Sequence, residues 1–225
     1  LQRNLSLFSS PFSTAILMAI SAQHIRAAQT QLKKNDQRMR EIIREVGPFT
    51  LRPKRHHFQT LASSIISQQI STSAAQTILH RLHDHLQPHG WEAQAIAGLD
   101  LETLRTLGVS RQKGSYLLDL AEHVSSGKLD LKTVSRKSDE AVIEALTAVK
   151  GIGVWTAQMF LIFSLGRLDV LPVADFGIRK AIQIEYGLDD LPTPSEITEI
   201  AQPWRPYATV ASWYLWRTLD KPASA

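Results

Sequence analysis

Residues Ala148 to Phe160 read AVKGIGVWTAQMF, two glycines one residue apart at the mouth of an apolar helix. Glycine inside a helix costs roughly 1 kcal/mol relative to alanine, so a pair placed here signals a demand on the backbone. Gly151 and Gly153 bracket Ile152, and the periodicity around them predicts helices over 139–149 and 154–165 joined by a tight turn. Such a turn can adopt positive φ, and an outside group can approach its backbone closely. The N–H groups opening the second helix lie at the positive end of its dipole, a geometry that suits a phosphate. The glycines alone fit a close helix–helix turn at least as well.

Outward from this hairpin, helical signals dominate. Residues 24–48, HIRAAQTQLKKNDQRMREIIREVGP, read as one helix stopped by Gly47 and Pro48. In FQTLASSIISQQIS, residues 58–71, Phe58, Leu61, Ala62, Ile65, Ile66 and Gln69 share one face. Further helices are expected near 72–86, 101–107, 111–126, 176–186, 195–201 and 207–219, separated by Gly- and Pro-containing turns. Alternating strand patterns are scarce. The expected fold is all-α, two helical lobes around a groove. Residues 1–17, Ser-rich and free of acids, read as a disordered or non-native extension ahead of Met18, and 18–225 as the helical domain.

Composition narrows the function. The chain has no cysteine, which removes disulfides, thiol nucleophiles, thiolate zinc sites and cysteine-ligated clusters together. The net charge of +4 is uneven: residues 1–58 hold 10 Lys/Arg against 3 Asp/Glu, and the remainder is slightly acidic. A basic arm on a near-neutral body suits a polyanion. No run approaches the ~20 apolar residues of a membrane span. His80, His83, His85 and His89 do not fall on one face and read as a solvated helix end. RPKRHHF at 52–58 reads as a basic segment able to meet phosphates.

The hairpin is followed by VLPVADFGIRKAI, Val170 to Ile182, a Pro-containing loop that runs through Asp175 into a new helix. Hairpin, Pro-containing loop and Asp, in that order, resemble the helix–hairpin–helix (HhH-GPD) base-excision DNA glycosylase superfamily, over residues 56–217. The resemblance implies that the groove binds DNA and that Lys150, Gly151, Gly153 and Thr156 meet a backbone phosphate. It also implies a monovalent cation, Na⁺ or K⁺, on the carbonyls of Thr147, Val149 and Gly151, with no other cofactor and no iron–sulfur cluster. Asp175, a sound N-cap in its own right, would stabilise the positive charge that develops on the sugar as the base departs. SSIISQQIST, residues 63–72, matches the element that fills the hole left by an extruded base, with Gln69 and Ile70 as the wedge.

Two features sharpen the expected activity. Relatives that also cut the strand carry a Lys two residues beyond the second glycine, where this chain has Trp155, so base removal without strand cleavage is expected. WRPYATVASWYLWR, residues 204–217, is rich in aromatics. Tyr207 and Trp216 read as core, whereas Trp155, Trp213 and Tyr214 match the pocket of the AlkA-type 3-methyladenine glycosylase branch. Stacked indoles suit a cationic N-alkylated purine. Met159 stands where some relatives have another aromatic, which loosens the pocket. The expected protein is a monomeric glycosylase acting on double-stranded DNA, away from membranes, in the nucleoid of a bacterium or the nucleus of a eukaryote. Two alternatives stay open: a glycosylase for oxidised, deaminated or mismatched bases, and a non-enzymatic DNA-binding module.

Overall fold

The computed structural model describes residues 20–220, so the extension expected at 1–17 lies outside the described residues. Among those residues the regular structure is helical throughout. Serine, threonine and aspartate caps set most of the starts: Ser21, Asp36, Ser71, Asp100, Ser110, Ser138, Asp175 and Thr193 each accept a backbone N–H of the first helical turn. At Thr193 the cap is reciprocal, because Glu196 bonds back to the Thr193 amide.

Two groups of helices form. The chain's two ends build one: α1 (Ala22–Asn35) and α2 (Gln37–Val46) pack together and against α12 (Ala208–Leu219), which also packs on α10 (Phe176–Glu185). A short 3₁₀ turn, Gln202–Trp204, links α11 (Pro194–Ile200) to α1. The second group is continuous in sequence. Here α3 (His57–Ser67) packs on α4 (Thr72–His85), α7 (Arg111–Ser125) and α9 (Val154–Phe160), with α5 (Ala93–Ala97) and α6 (Leu101–Thr106) against α7. The hairpin is α8 (Asp139–Thr147) against α9. One hydrophobic cluster runs through both groups, with Trp204 and Tyr214 the largest fully buried side chains. No helix among the described residues is long and apolar enough to cross a membrane.

The structure departs from the sequence expectation at three places. The single helix expected over 24–46 is two, broken at Asp36, whose backbone is extended (φ −140°, ψ 114°). Its buried carboxylate accepts the amide of Met39 at 2.9 Å, the indole N–H of Trp204 at 2.8 Å and the hydroxyl of Tyr186 at 2.7 Å. Continuing the helix would strip the cap and swing that acid away from both aromatic donors. Second, α5 carries no strong pattern of its own and is held by Ala93 and Ile96 against α7. Third, the helix expected over 154–165 is α-helical only to Phe160, then widens into a π turn, Leu161–Leu165, and stops at Gly166 in the left-handed region.

Candidate active site

The loop 166–175 carries the candidate acid between the two groups, and α12 moors it. Thr209 donates its amide to Leu168 O (3.0 Å), and its hydroxyl accepts the amide of Val170 at 2.9 Å. Asp169 accepts the amide of Ala208 and pairs with Arg205, which makes it an anchor for the start of α12. The loop then folds on itself, Val173 N to Leu171 O and Asp175 N to Pro172 O, and delivers Asp175 as the N-cap of α10.

Asp175 is 9% exposed, and three N–H groups aim at its carboxylate. Ile178 N and Trp216 Nε1 donate to Oδ1, each at 2.9 Å, and Trp155 Nε1 donates to Oδ2 at 2.8 Å. All three satisfy an ionised acid, and together they fix its plane. Trp155 remains 45% exposed, and so, more strongly, are Val154 next to it in the chain and Phe176 next to Asp175, so an exposed indole covers one side of the acid.

Trp216 packs against the core, as read from the sequence, and also reaches the site. It is half-buried, stacks on Phe163 (5.6 Å between centroids, 30° between planes) and donates to the acid. The π turn positions that ring: Lys54 N donates to Phe163 O, and Ser164 Oγ bonds Lys54 O and His57 Nδ1. Burial pushes the His57 pKa down, with His56 adding to the effect. One signal was available in the sequence: an indole N–H in an otherwise apolar helix needs an acceptor, and Asp175 was the acid in question. Trp213 is nearly buried against Phe49 and Tyr214, with Arg217 over its face. Tyr214 is fully buried, with its hydroxyl between Gln29 Nε2 and Gly47 O, and in this arrangement no base reaches it. Met159 lines a cavity of about 600 Å³ that runs from α3 residues Ser63, Ser64 and Ser67 to Phe160 and Phe163. That volume falls within the ~300–1,000 Å³ typical of small-molecule pockets.

The hairpin's two glycines do different work. Gly151 has φ +82°, and a Cβ there would lie 2.7 Å from Tyr116 Cε2 and closer still to Cδ2. Gly153 is extended (φ −94°), opens α9 without a side-chain cap, and has open space where a Cβ would stand. Its neighbourhood is the accessible one. Thr156, expected beside the phosphate, has a buried side chain. Lys150 is exposed, yet its amide donates to Asp119 Oδ2 at 2.8 Å and its ammonium lies 3.6 Å from Asp119 Oδ1. Of the expected cation ligands, Val149 O accepts Ile152 N and Gly151 O accepts Gln68 Nε2. In the wedge, Ile70 is 38% exposed and Gln69 has φ +56°, a left-handed conformation uncommon outside glycine.

A helical frame that sets such a hairpin within one indole of a capped acid defines a helix–hairpin–helix DNA-repair scaffold. Residues 62–206 match the HhH-GPD superfamily of base excision DNA repair proteins, and the chain belongs to it. It is 34% identical over 197 residues to DNA-3-methyladenine glycosylase 1 of Schizosaccharomyces pombe, across 85% of this chain and 86% of that protein. A DNA-3-methyladenine glycosidase from Bacillus halodurans superposes with TM-score 0.79 and 36% identity over 91% of this chain and 92% of its own. The S. pombe 3-methyladenine DNA glycosylase in complex with abasic DNA gives TM-score 0.76 and 32% identity, covering 88% of this chain and 99% of that one.

Proposed function

We propose that this protein is a monofunctional DNA glycosylase that extrudes N-alkylated purines of the 3-methyladenine and 7-methylguanine type from duplex DNA and hydrolyses their N-glycosidic bond. The observation that carries the reading is Asp175, a carboxylate held by Trp155, Trp216 and the α10 amide, with an exposed indole covering one side.

Each step uses residues of this chain. The backbone at Gly151, Gly153 and Thr156 grips a phosphate, with the Lys150 ammonium as a charge contact softened by Asp119. Gln69 and Ile70 enter the stack as the lesion leaves it, offsetting an unstacking cost of a few kcal/mol, roughly. Trp155, Met159 and Trp216 receive the base, with Trp213 behind them; Trp216 takes the place expected of Tyr214. A purine that carries a positive charge is drawn to indole faces and is already a good leaving group. As the C1′–N bond lengthens, the sugar becomes cationic and the fixed Asp175 carboxylate stabilises it without reorganisation. The same carboxylate orients the attacking water. With Trp155 where a strand-cleaving relative has lysine, no amine attacks C1′ and the backbone stays whole.

The carbonyls of Thr147, Val149 and Gly151 fit a monovalent cation: all three are neutral, and those of Val149 and Gly151 keep a second lone pair beyond the bonds they accept. Such an ion would neutralise part of the phosphate charge. The test is base release from methylating-agent-treated duplex, followed by chromatography for wild type and Asp175→Asn. Release of methylated purine by wild type alone, with strands intact until alkali is added, is the expected result. No release by a wild type that binds duplex tightly would overturn the reading.

A further inference from the structure

The three hydrogen bonds on Asp175 come from α9, α10 and α12, whereas one side of helix α7 is spent on the two DNA-handling loops. Lys113, Tyr116 and Asp119 follow one another at three-residue spacing along it. Lys113 Nζ donates to Ile66 O at 2.7 Å and to Gln68 O at 2.5 Å, holding the end of α3 and the residue before the wedge. The Tyr116 ring fills the space beneath Gly151, and its hydroxyl accepts a bond from Gln112 Nε2. Asp119 holds the Lys150 amide. Gln68 closes the circuit, its Nε2 donating to Gly151 O at 2.9 Å across the gap between wedge and hairpin.

This circuit explains the backbone of Gln69. A left-handed glutamine is disfavoured and persists only where its surroundings over-determine it. The preceding carbonyl is pinned by Lys113, and the preceding side chain is pinned by the phosphate-binding turn. Lys113 also sits where burial pushes its pKa down, and its two carbonyl partners are the compensation.

We propose that Lys113 and Gln68 are positioning residues that join the wedge to the hairpin, so that gripping the phosphate and driving the base out are one coupled movement. The inference rests on the glycosylase reading. Neither residue is asked to touch the base or the sugar. α7 is the splint, and the Gln68–Gly151 bond is the tie.

The test compares two substrates, a methylated purine paired in duplex and the same lesion in a bulge, where it is already unstacked. Single-turnover release is followed on both, and fluorescence of a 2-aminopurine beside the lesion reports extrusion separately from chemistry. Gln68→Ala should slow release from the paired duplex about tenfold and release from the bulge less than about threefold. It should also reduce the fluorescence rise and leave binding to undamaged duplex within about twofold. Lys113→Met should do the same more severely, and Lys113→Arg should restore most of the loss. Melting temperatures confirm that each variant is folded, and Gln68→Ala, a half-buried truncation, carries the test if Lys113→Met unfolds. Equal loss on both substrates, or no loss on either, overturns the proposal. A wild type that raises fluorescence without releasing base would overturn the glycosylase reading instead, and the fluorescence of the variants would still decide the coupling.

Discussion

Replacing Gly151 with alanine should damage the fold before it damages DNA binding, and the size of the effect can be worked out. Gly151 has φ +82°, where an L-residue pays about 1–2 kcal/mol. The added methyl would also press into the Tyr116 ring, 2.7 Å from Cε2. That ring is half-buried and its hydroxyl is held by Gln112, so relief requires displacing either α7 or the turn. Forced overpacking of this kind costs about 1–3 kcal/mol. Together the two terms come to roughly 3 kcal/mol, out of a total stability of about 5–15. With a urea dependence of about 1–3 kcal/mol per molar, the unfolding midpoint should fall by about 1–3 M. A double-mutant cycle with Tyr116→Ala separates the terms: the steric part should appear as about 1–3 kcal/mol of favourable coupling, and the φ part should persist. Gly153→Ala is the contrast, since it meets open space at φ −94° and should cost ~1 kcal/mol or less as a lost N-cap glycine. Its methyl would instead stand in the open space where the proposed phosphate would approach, so its loss should appear in duplex affinity. A Gly151→Ala midpoint within about 0.3 M of wild type, or a cycle without coupling, would refute the reasoning.

Trp216→Phe keeps a ring against Phe163 but removes the N–H on Asp175 Oδ1, so single-turnover base release should fall about tenfold with duplex binding unchanged. An unchanged rate would return Trp216 to a packing role. Asp36→Ala leaves Trp204 and Tyr186 without their acceptor and α2 without its cap, and thermal unfolding should show a loss of about 3 kcal/mol or more. A loss below about 1 kcal/mol would show that those donors find other partners. His57 has its folded pKa pushed down by burial, so the unfolded chain takes up the proton first. The neutral ring's stabilising effect is present above the ordinary histidine value near 6.5 and is lost as pH falls below it. Urea midpoints should therefore decline between pH 7.5 and 5.5, less so in His57→Gln, and parallel profiles would remove His57 as the source.

How much of this was legible depended on whether a residue's partner was local or distant. The hairpin, the Asp175 cap and most helix limits follow from neighbours within four residues, so spacing and capping chemistry revealed them. The break at Asp36 was hidden because nearby residues favour one continuous helix, while the donors that demand its carboxylate, Trp204 and Tyr186, lie far along the chain. Trp213, Tyr214 and Trp216 lie on one apolar helix, and periodicity cannot say which indole faces the core and which faces an acid. The π turn matters here, because it sets where Phe163, and therefore Trp216, can lie.

Trp155 shows why one position can decide the chemistry of the whole site. Its Nε1 is 2.8 Å from Asp175 Oδ2, so whatever stands at 155 acts directly on the acid. A lysine reaching the same carboxylate would be an ion-pair partner and, once deprotonated, a nucleophile for C1′. An indole is neither. It donates one neutral hydrogen bond and leaves the full negative charge on Asp175, which on the proposed reading faces the sugar while the indole face meets the cationic base. On that reading, the exchange would remove the covalent route and strengthen the electrostatic one, which would suffice for a base whose own charge already weakens its bond to the sugar. Trp155→Phe separates these contributions: it keeps a ring for the base and deletes the bond to Oδ2. If the hydrogen bond's role is to orient the acid, release should slow by about tenfold while affinity for an extruded cationic base is kept. If affinity falls and the rate constant does not, Trp155 serves as a stacking surface alone.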